Sequence, residues 1–187
     1  MEHFCLNLSR LQGSFSQMKK ISVLSCSAML TGVAVILQLF TIPISDLIQV
    51  NFLFVPIAMA GAMFGPVSSG LVAVAADILK FLIRPTGGFF PGFTLTALVT
   101  GLVYGISFYR RKPGLLRIVL TQLFLDVFAH IGLNTLWLVI MYNKAAAAIL
   151  PMRAVKTLIV LPIEVLFLVL AMKVSQKVSA RVSPGRQ

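Results

Sequence analysis

Two long runs without a charged side chain constrain this sequence most. Residues Ile21 to Ser45 and Leu47 to Ala76 contain no Asp, Glu, Lys or Arg, and a helix needs about 20 apolar residues to cross the hydrocarbon core of a bilayer. Soluble domains, about a quarter charged, rarely leave such stretches uninterrupted. Here 11% of the 187 residues are charged and 58% are hydrophobic. The chain is therefore expected to be an all-α integral membrane protein. The first run follows Lys19-Lys20, but it is too long for a secretory leader and no small-x-small cleavage site follows it.

Breaks in the apolar pattern divide the chain into six transmembrane helices. The first span is expected over Ile21–Ser45. A short second helix covers Phe52–Phe64, barely long enough to cross and so expected to tilt or to be buried in protein. Gly65-Pro66 makes a tight turn into a third helix from Pro66 to about Arg84. Two prolines and three glycines keep Pro85–Gly92 non-helical. A fourth span follows over Gly92–Tyr109, then the charged turn Arg110-Arg111-Lys112-Pro113-Gly114. The fifth covers Ile118–Tyr142 and the sixth Arg153–Lys173, with a polar tail from Ser175 expected to fray. This makes a single membrane domain over 1–187: tail 1–20, bundle 21–173, tail 174–187.

The formal charge of +11 would suggest nucleic acid in a soluble protein. In a membrane protein basic residues mark cytoplasmic loops. With both termini cytoplasmic, eleven of the sixteen basic residues lie inside: Arg10, Lys19, Lys20, Arg110, Arg111, Lys112, Arg117, Lys173, Lys177, Arg181 and Arg186. The excess is mostly a topology signal, and nucleic acid is not an expected partner. Lys80, Arg84, Lys144, Arg153 and Lys156 fall toward the outer side. Charge at membrane depth faces an interior cavity or a partner, or snorkels to headgroups, the reading preferred for Lys144. Lys80 and Arg84 share a helix face, as do Arg153 and Lys156. Glu164 lies further in on nearly the same face, an order of cation, cation and acid that suits a ligand with one anionic end and one hydrogen-bonding end.

Among the acids, Asp77 is expected to pair with Lys80, and Asp126 with Arg117 or Arg110, away from any ligand. Glu164 follows Pro162, whose ring frees a backbone carbonyl one turn earlier, and an acid beside such an irregularity reads as functional. His130 reads as a hydrogen-bonded interior residue. Phe89, Phe90 and Phe93 cluster in the outer loop, and Asn134 and Trp137 share a face near the outer end of the fifth helix. A flat ligand could stack on these rings while the Asn134 amide reads its edge. The competing explanation for the aromatics is an interfacial belt.

Catalytic chemistry finds no support. There is no Gly-x-x-x-x-Gly-Lys-[Ser/Thr] loop, no Ser/His/Asp set, no metal-ligand spacing, and only Cys5 and Cys26 as thiols. The chain is read as neither an enzyme nor a cofactor protein. No inverted repeat marks it as a self-sufficient transporter, so a transporter of this kind would borrow its energy. Ala28 and Gly32 form a small-xxx-small pair that lets another helix approach closely.

The stretch Phe54-Val55-Pro56-Ile57-Ala58, Gly61, Phe64-Gly65-Pro66, Ala76-Asp77 and Pro85-Thr86-Gly87 resembles the substrate-binding (S) subunit of energy-coupling factor (ECF) vitamin transporters. Phe89-Phe90-Pro91-Gly92-Phe93-Thr94-Leu95, Asn134-Thr135-x-Trp137, Arg153-x-x-Lys156 and Leu161-Pro162-Ile163-Glu164 are most similar to the folate-specific branch. The similarity runs from about Ala28 to Leu170. It implies a multi-pass protein of the bacterial cell membrane that binds one vitamin from outside. Its partners would be a transmembrane coupling protein, met at Ala28 and Gly32, and two cytoplasmic ATPases. Folate-type relatives often carry Arg where this chain has Gln49, and Ala where it has Gly32. The implied site is Gln49, Lys80, Phe90, Phe93, Thr94, Asn134, Trp137, Arg153, Lys156 and Glu164. The rings and Asn134 suit the pterin and linker of folate, and the cations suit its two carboxylates. Pantothenate is an alternative ligand; thiamine is cationic and riboflavin lacks carboxylates. A membrane scaffold that transports nothing is the reading from a different class.

Overall fold

The computed structural model describes residues 21–39, 42–45, 48–50, 52–83, 90–109, 113–142 and 146–182. The first helix, α1 (Ile21–Leu39), ends earlier than the apolar run does. Residues Ile42–Ser45 and Ile48–Val50 pair instead as an antiparallel hairpin, β1 and β2, with Pro43 opposite Gln49. Pro43 cannot sit inside a helix without losing a backbone bond and clashing with the preceding turn, and flanking Ile residues favour extended backbone. The expected span to Ser45 is thus corrected to a helix followed by a hairpin.

Helix α2 (Phe54–Phe64) extends about 16 Å at 1.5 Å per residue, roughly half of a ~30 Å bilayer core. It packs against α1 and the helices that follow rather than standing free. Gly65 closes it at φ 97°, and its N–H bonds to the Gly61 carbonyl at 3.1 Å. That positive φ suits glycine because no Cβ opposes it. Pro66 then opens α3 (Pro66–Ile83), where its missing N–H costs nothing. The same device starts α4 (Pro91–Phe108), behind an extended Phe90.

The fifth span is not uniform. Helix α5 (Leu115–Leu125) passes into a π-helical stretch, Asp126–Leu133, and returns to α-helix as α6 (Asn134–Tyr142). Helix α7 (Ala146–Val182) has 37 residues and runs through Pro162. It starts before Arg153 and continues past Lys173, where a frayed tail was expected. Its extension, residues 174–182, contains no Gly or Pro to break it.

The core is made of α2, α3, α4, α5 and α7, through Ile57, Val72, Tyr104, Phe108, Leu125 and Leu168. Helices α3 and α4 are antiparallel and meet backbone to backbone. A Cβ on Gly105 would overlap the Pro66 backbone, and one on Gly101 would come within 2.5 Å of the Ser69 carbonyl. Ser69 Oγ donates to the Ile57 carbonyl at 2.8 Å and so ties α3 to α2. Large apolar side chains are exposed on α1, α3, α5, α6 and α7. Helices apolar on their outer faces as well as their inner ones are membrane spans. Five described helical segments are long and apolar enough to cross, and α2 is a shorter apolar helix beside them.

Candidate functional site

The site is built at the end of the bundle that the charge pattern assigns to the outside. Phe90 and Phe93 meet edge to face with centroids 6.2 Å apart, and Phe90 lies 5.5 Å from the Trp137 ring. Gly92 makes this possible. A Cβ there would stand 2.5 Å from both Phe90 Cε1 and Trp137 Cδ2, so only glycine lets the rings of α4 and α6 close over the start of α4. Thr96 fixes the indole. Its buried hydroxyl accepts the Trp137 N–H at 3.0 Å and donates to the Gly92 carbonyl at 3.1 Å. One side of a cluster of three rings is thereby oriented by a hydrogen bond, while Phe90, Phe93 and Trp137 all remain half-buried.

Thr94 donates to Asp77 Oδ2 at 2.9 Å, joining α4 to α3 at the same end. The expected Asp77–Lys80 pair does not form. The hydroxyl on the facing helix satisfies the acid, and Lys80, half-buried one turn on, makes no ion pair among the described residues. The Asn134 side chain is half-buried beside Trp137, and no hydrogen bond to its amide occurs among the described residues.

A second polar group lies deeper. Tyr104 donates from its hydroxyl to Gln122 Oε1 at 2.6 Å; Gln122 Nε2 donates to Glu164 Oε2 at 2.7 Å and Asp126 Oδ1 at 3.1 Å. One amide thus links α4, the fifth span and α7. Tyr104 is eight residues inward of Thr96 on the regular helix α4, about 12 Å along its axis. Asp126 was expected to pair with Arg117 or Arg110. Its partner is Gln122, one turn away, whereas Arg117 is nine residues back, about 13 Å along the axis.

Of the residues singled out by sequence, the structure brings Phe90, Phe93 and Trp137 together and places Thr94 and Asn134 at the same end. Glu164 belongs to the inner network. Gln49 lies in β2, and Arg153 and Lys156 lie in the first part of α7, eleven and eight residues before Glu164. The side chains of those three and of His130 lie outside the described residues, as do Arg84, Phe89, Arg110 and Lys144. Thr96, Tyr104 and Gln122 were missed. A signal for two of them was present: Gly92, Thr96, Thr100 and Tyr104 recur every fourth residue, and all four are buried on one face of α4.

This arrangement defines a class. Residues 23–172 match the family described as the ECF transporter substrate-specific component, and the chain belongs to that family of multi-pass proteins of the bacterial cell membrane. It is 36% identical over 146 residues to the folate transporter FolT of Clostridium novyi, covering 78% of this chain and 85% of that protein. It is 33% identical to the folate transporter FolT of Leuconostoc mesenteroides, covering 74% of this chain and 77% of the other. A crystal structure of FolT bound with folic acid superposes with a TM-score of 0.73 at 32% identity, over 80% of this chain and 91% of that one.

Proposed function

We propose that this chain binds folate at the outer end of the bundle and delivers it across the membrane as the substrate-specific subunit of an ATP-driven ECF transporter. The observation that carries the reading is the structural likeness to FolT bound with folic acid, at a level of identity that two curated folate transporters share. The chemistry is in keeping with it. Phe90, Phe93 and Trp137 offer aromatic surfaces to a flat heterocycle and its linker. Asn134, with its amide unengaged among the described residues, offers both a donor and an acceptor. Arg153 and Lys156 lie about 16 and 12 Å outward of Glu164 along α7, a spacing that sets two cations apart from the acidic end and suits the dianionic glutamate tail. Lys80, Thr94 and Gln49 complete the proposed ligand set, and the chain acts as a single domain.

The partners in this reading are a transmembrane coupling protein and two cytoplasmic ATPases. Ala28 and Gly32 support a docking face on α1. Both are exposed, and a Cβ on Gly32 would meet nothing within 4 Å, as a close helix–helix approach requires. Calorimetric titration of the purified protein with folic acid, pantothenate, thiamine and riboflavin tests the ligand. Saturable one-to-one binding of folic acid alone is expected. Preference for another vitamin would replace the ligand but keep the class, and no binding of any would favour a scaffold.

A further inference from the structure

Helix α7 is longer than a bilayer requires, and one of its faces changes chemistry on the way out. Its 37 residues extend about 55 Å, against a hydrocarbon core of ~30 Å. Ile159, Ile163, Leu166 and Leu170 are spaced by four, three and four residues, so they form one row on the helix, and all are exposed. The same spacing continues to Lys173 and Lys177, both exposed, and Arg181 takes the next place in that row. Leu168, Met172 and Ser175 are buried on the opposite side. No Asp or Glu occurs between Val165 and Gln187, and Lys173 and Lys177 make no ion pair among the described residues. The acid before them on α7, Glu164, lies nine residues back, about 13 Å along the axis, and is engaged by Gln122.

We infer that the row Lys173, Lys177 and Arg181 is a docking surface for the headgroups of anionic phospholipids in the cytoplasmic leaflet. The row continues the face that Ile159, Ile163, Leu166 and Leu170 turn outward from the bundle, so it meets the same lipids at the level of their headgroups. Depth agrees with this. Lys173 lies about 5 Å beyond Leu170, and Lys177 and Arg181 about 6 and 12 Å further on. A headgroup layer adds about 5–7 Å to each side of the core, so the two lysines bracket it, and Arg181 stands within a Debye length of its charge, about 8 Å. Clusters of four or more basic residues just inside a span are the pattern that anionic lipids attract, and Arg186 brings this one to four. The apolar part of the row argues against a helix of another protein as its occupant. Branched Ile and Leu hold a neighbouring backbone away, whereas close packing in lipid uses small residues, which α1 offers at Ala28 and Gly32. The inference is independent of which vitamin the chain binds.

The test is native mass spectrometry of the full chain in detergent, titrated with equal amounts of anionic phosphatidylglycerol and zwitterionic phosphatidylcholine. The wild-type chain is expected to retain phosphatidylglycerol in preference. Replacing Lys173, Lys177 and Arg181 by Gln, singly and together, should lower its affinity for phosphatidylglycerol about fivefold for each cation removed. Binding of phosphatidylcholine should change by less than about twofold. A transposed variant separates the row from net charge: Gln176→Lys with Lys177→Gln, and Ser179→Arg with Arg181→Ser, keeps every charge but moves two of them off the face. It should lose as much affinity as Lys177→Gln with Arg181→Gln. Circular dichroism melting identifies the folded variants, and Lys173→Gln and Lys177→Gln, at exposed positions, decide the matter if the others do not fold. A wild-type chain without preference for phosphatidylglycerol, a triple variant that keeps the preference, or a transposed variant equal to wild type overturns the inference. Unchanged lipid binding in the triple variant, with lost co-purification of the transmembrane coupling protein, would make the row a protein contact and overturn it as well.

Discussion

Gln122 is the residue whose loss should travel furthest through the bundle. Its Oε1 accepts from Tyr104 on α4, and its Nε2 reaches Glu164 on α7 and Asp126 one turn along its own helix. Two of these three bonds join separate helices. Cross-helix hydrogen bonds in membranes average about 0.6 kcal/mol and reach about 1.7, well below what an orphaned group costs in a dry soluble core, because the unfolded chain in lipid also finds partners. Gln122→Ala removes both and should cost about 1–3 kcal/mol. Tyr104→Phe removes one and should cost about half as much. At roughly 2–4 °C per kcal/mol for a chain of this size, the shifts are about 3–10 °C and 2–5 °C. The double variant should be no less stable than Gln122→Ala alone, since the Tyr104 bond is already gone. Thermal unfolding in detergent, followed by circular dichroism, reads all three. A Tyr104→Phe protein that loses as much as Gln122→Ala, or a strictly additive double variant, would refute the claim that the amide is the hub.

Other expectations follow from single contacts. Trp137→Phe keeps a ring but loses the bond to Thr96, and should weaken folic acid binding about 2- to 10-fold in calorimetry; Thr96→Val should match it, and the pair should not add. Gly105→Ala puts a methyl against the Pro66 backbone, where nothing can swing aside, and should destabilise by about 1–3 kcal/mol in the same melting assay. Gly32→Ala meets open space and should leave the melting temperature unchanged. Arg153→Ala and Lys156→Ala should each weaken folic acid binding by about 1–3 kcal/mol, and unchanged affinity in both would remove these cations from the site.

Much of the bundle is legible in the sequence because lipid leaves a backbone few choices. Charge-free runs bounded by Lys, Arg, Pro and Gly become helices, and Gly65-Pro66 marks the end of α2 and the start of α3. What escapes is any feature that apolar content does not encode. Residues 42–45 continue the charge-free run of the helix before them, so charge content alone does not separate hairpin from span. The π-helical stretch from Asp126 to Leu133 has no proline to announce it. The aromatic part of the site is readable because Phe90, Phe93 and Trp137 sit near predicted helix ends. The partners of Asp77 and Asp126 are not readable in the same way. Local spacing suggests Lys80 and Arg117, but Asp77 is met by Thr94 across a helix interface, and Asp126 shares Gln122 with an acid 38 residues away in sequence.

Trp137 is the single tryptophan of the chain, and it lies against Phe90 and Thr96 in the proposed folate site, so its emission tests the central claim most directly. Titration of the purified protein with folic acid should quench that emission saturably at one ligand per chain, beyond the inner-filter loss measured with free tryptophan, and pantothenate should not. Calorimetric binding of folic acid with no change in Trp137 emission would put the ligand elsewhere in the bundle. Absence of both signals in folded protein would contradict the account at its centre.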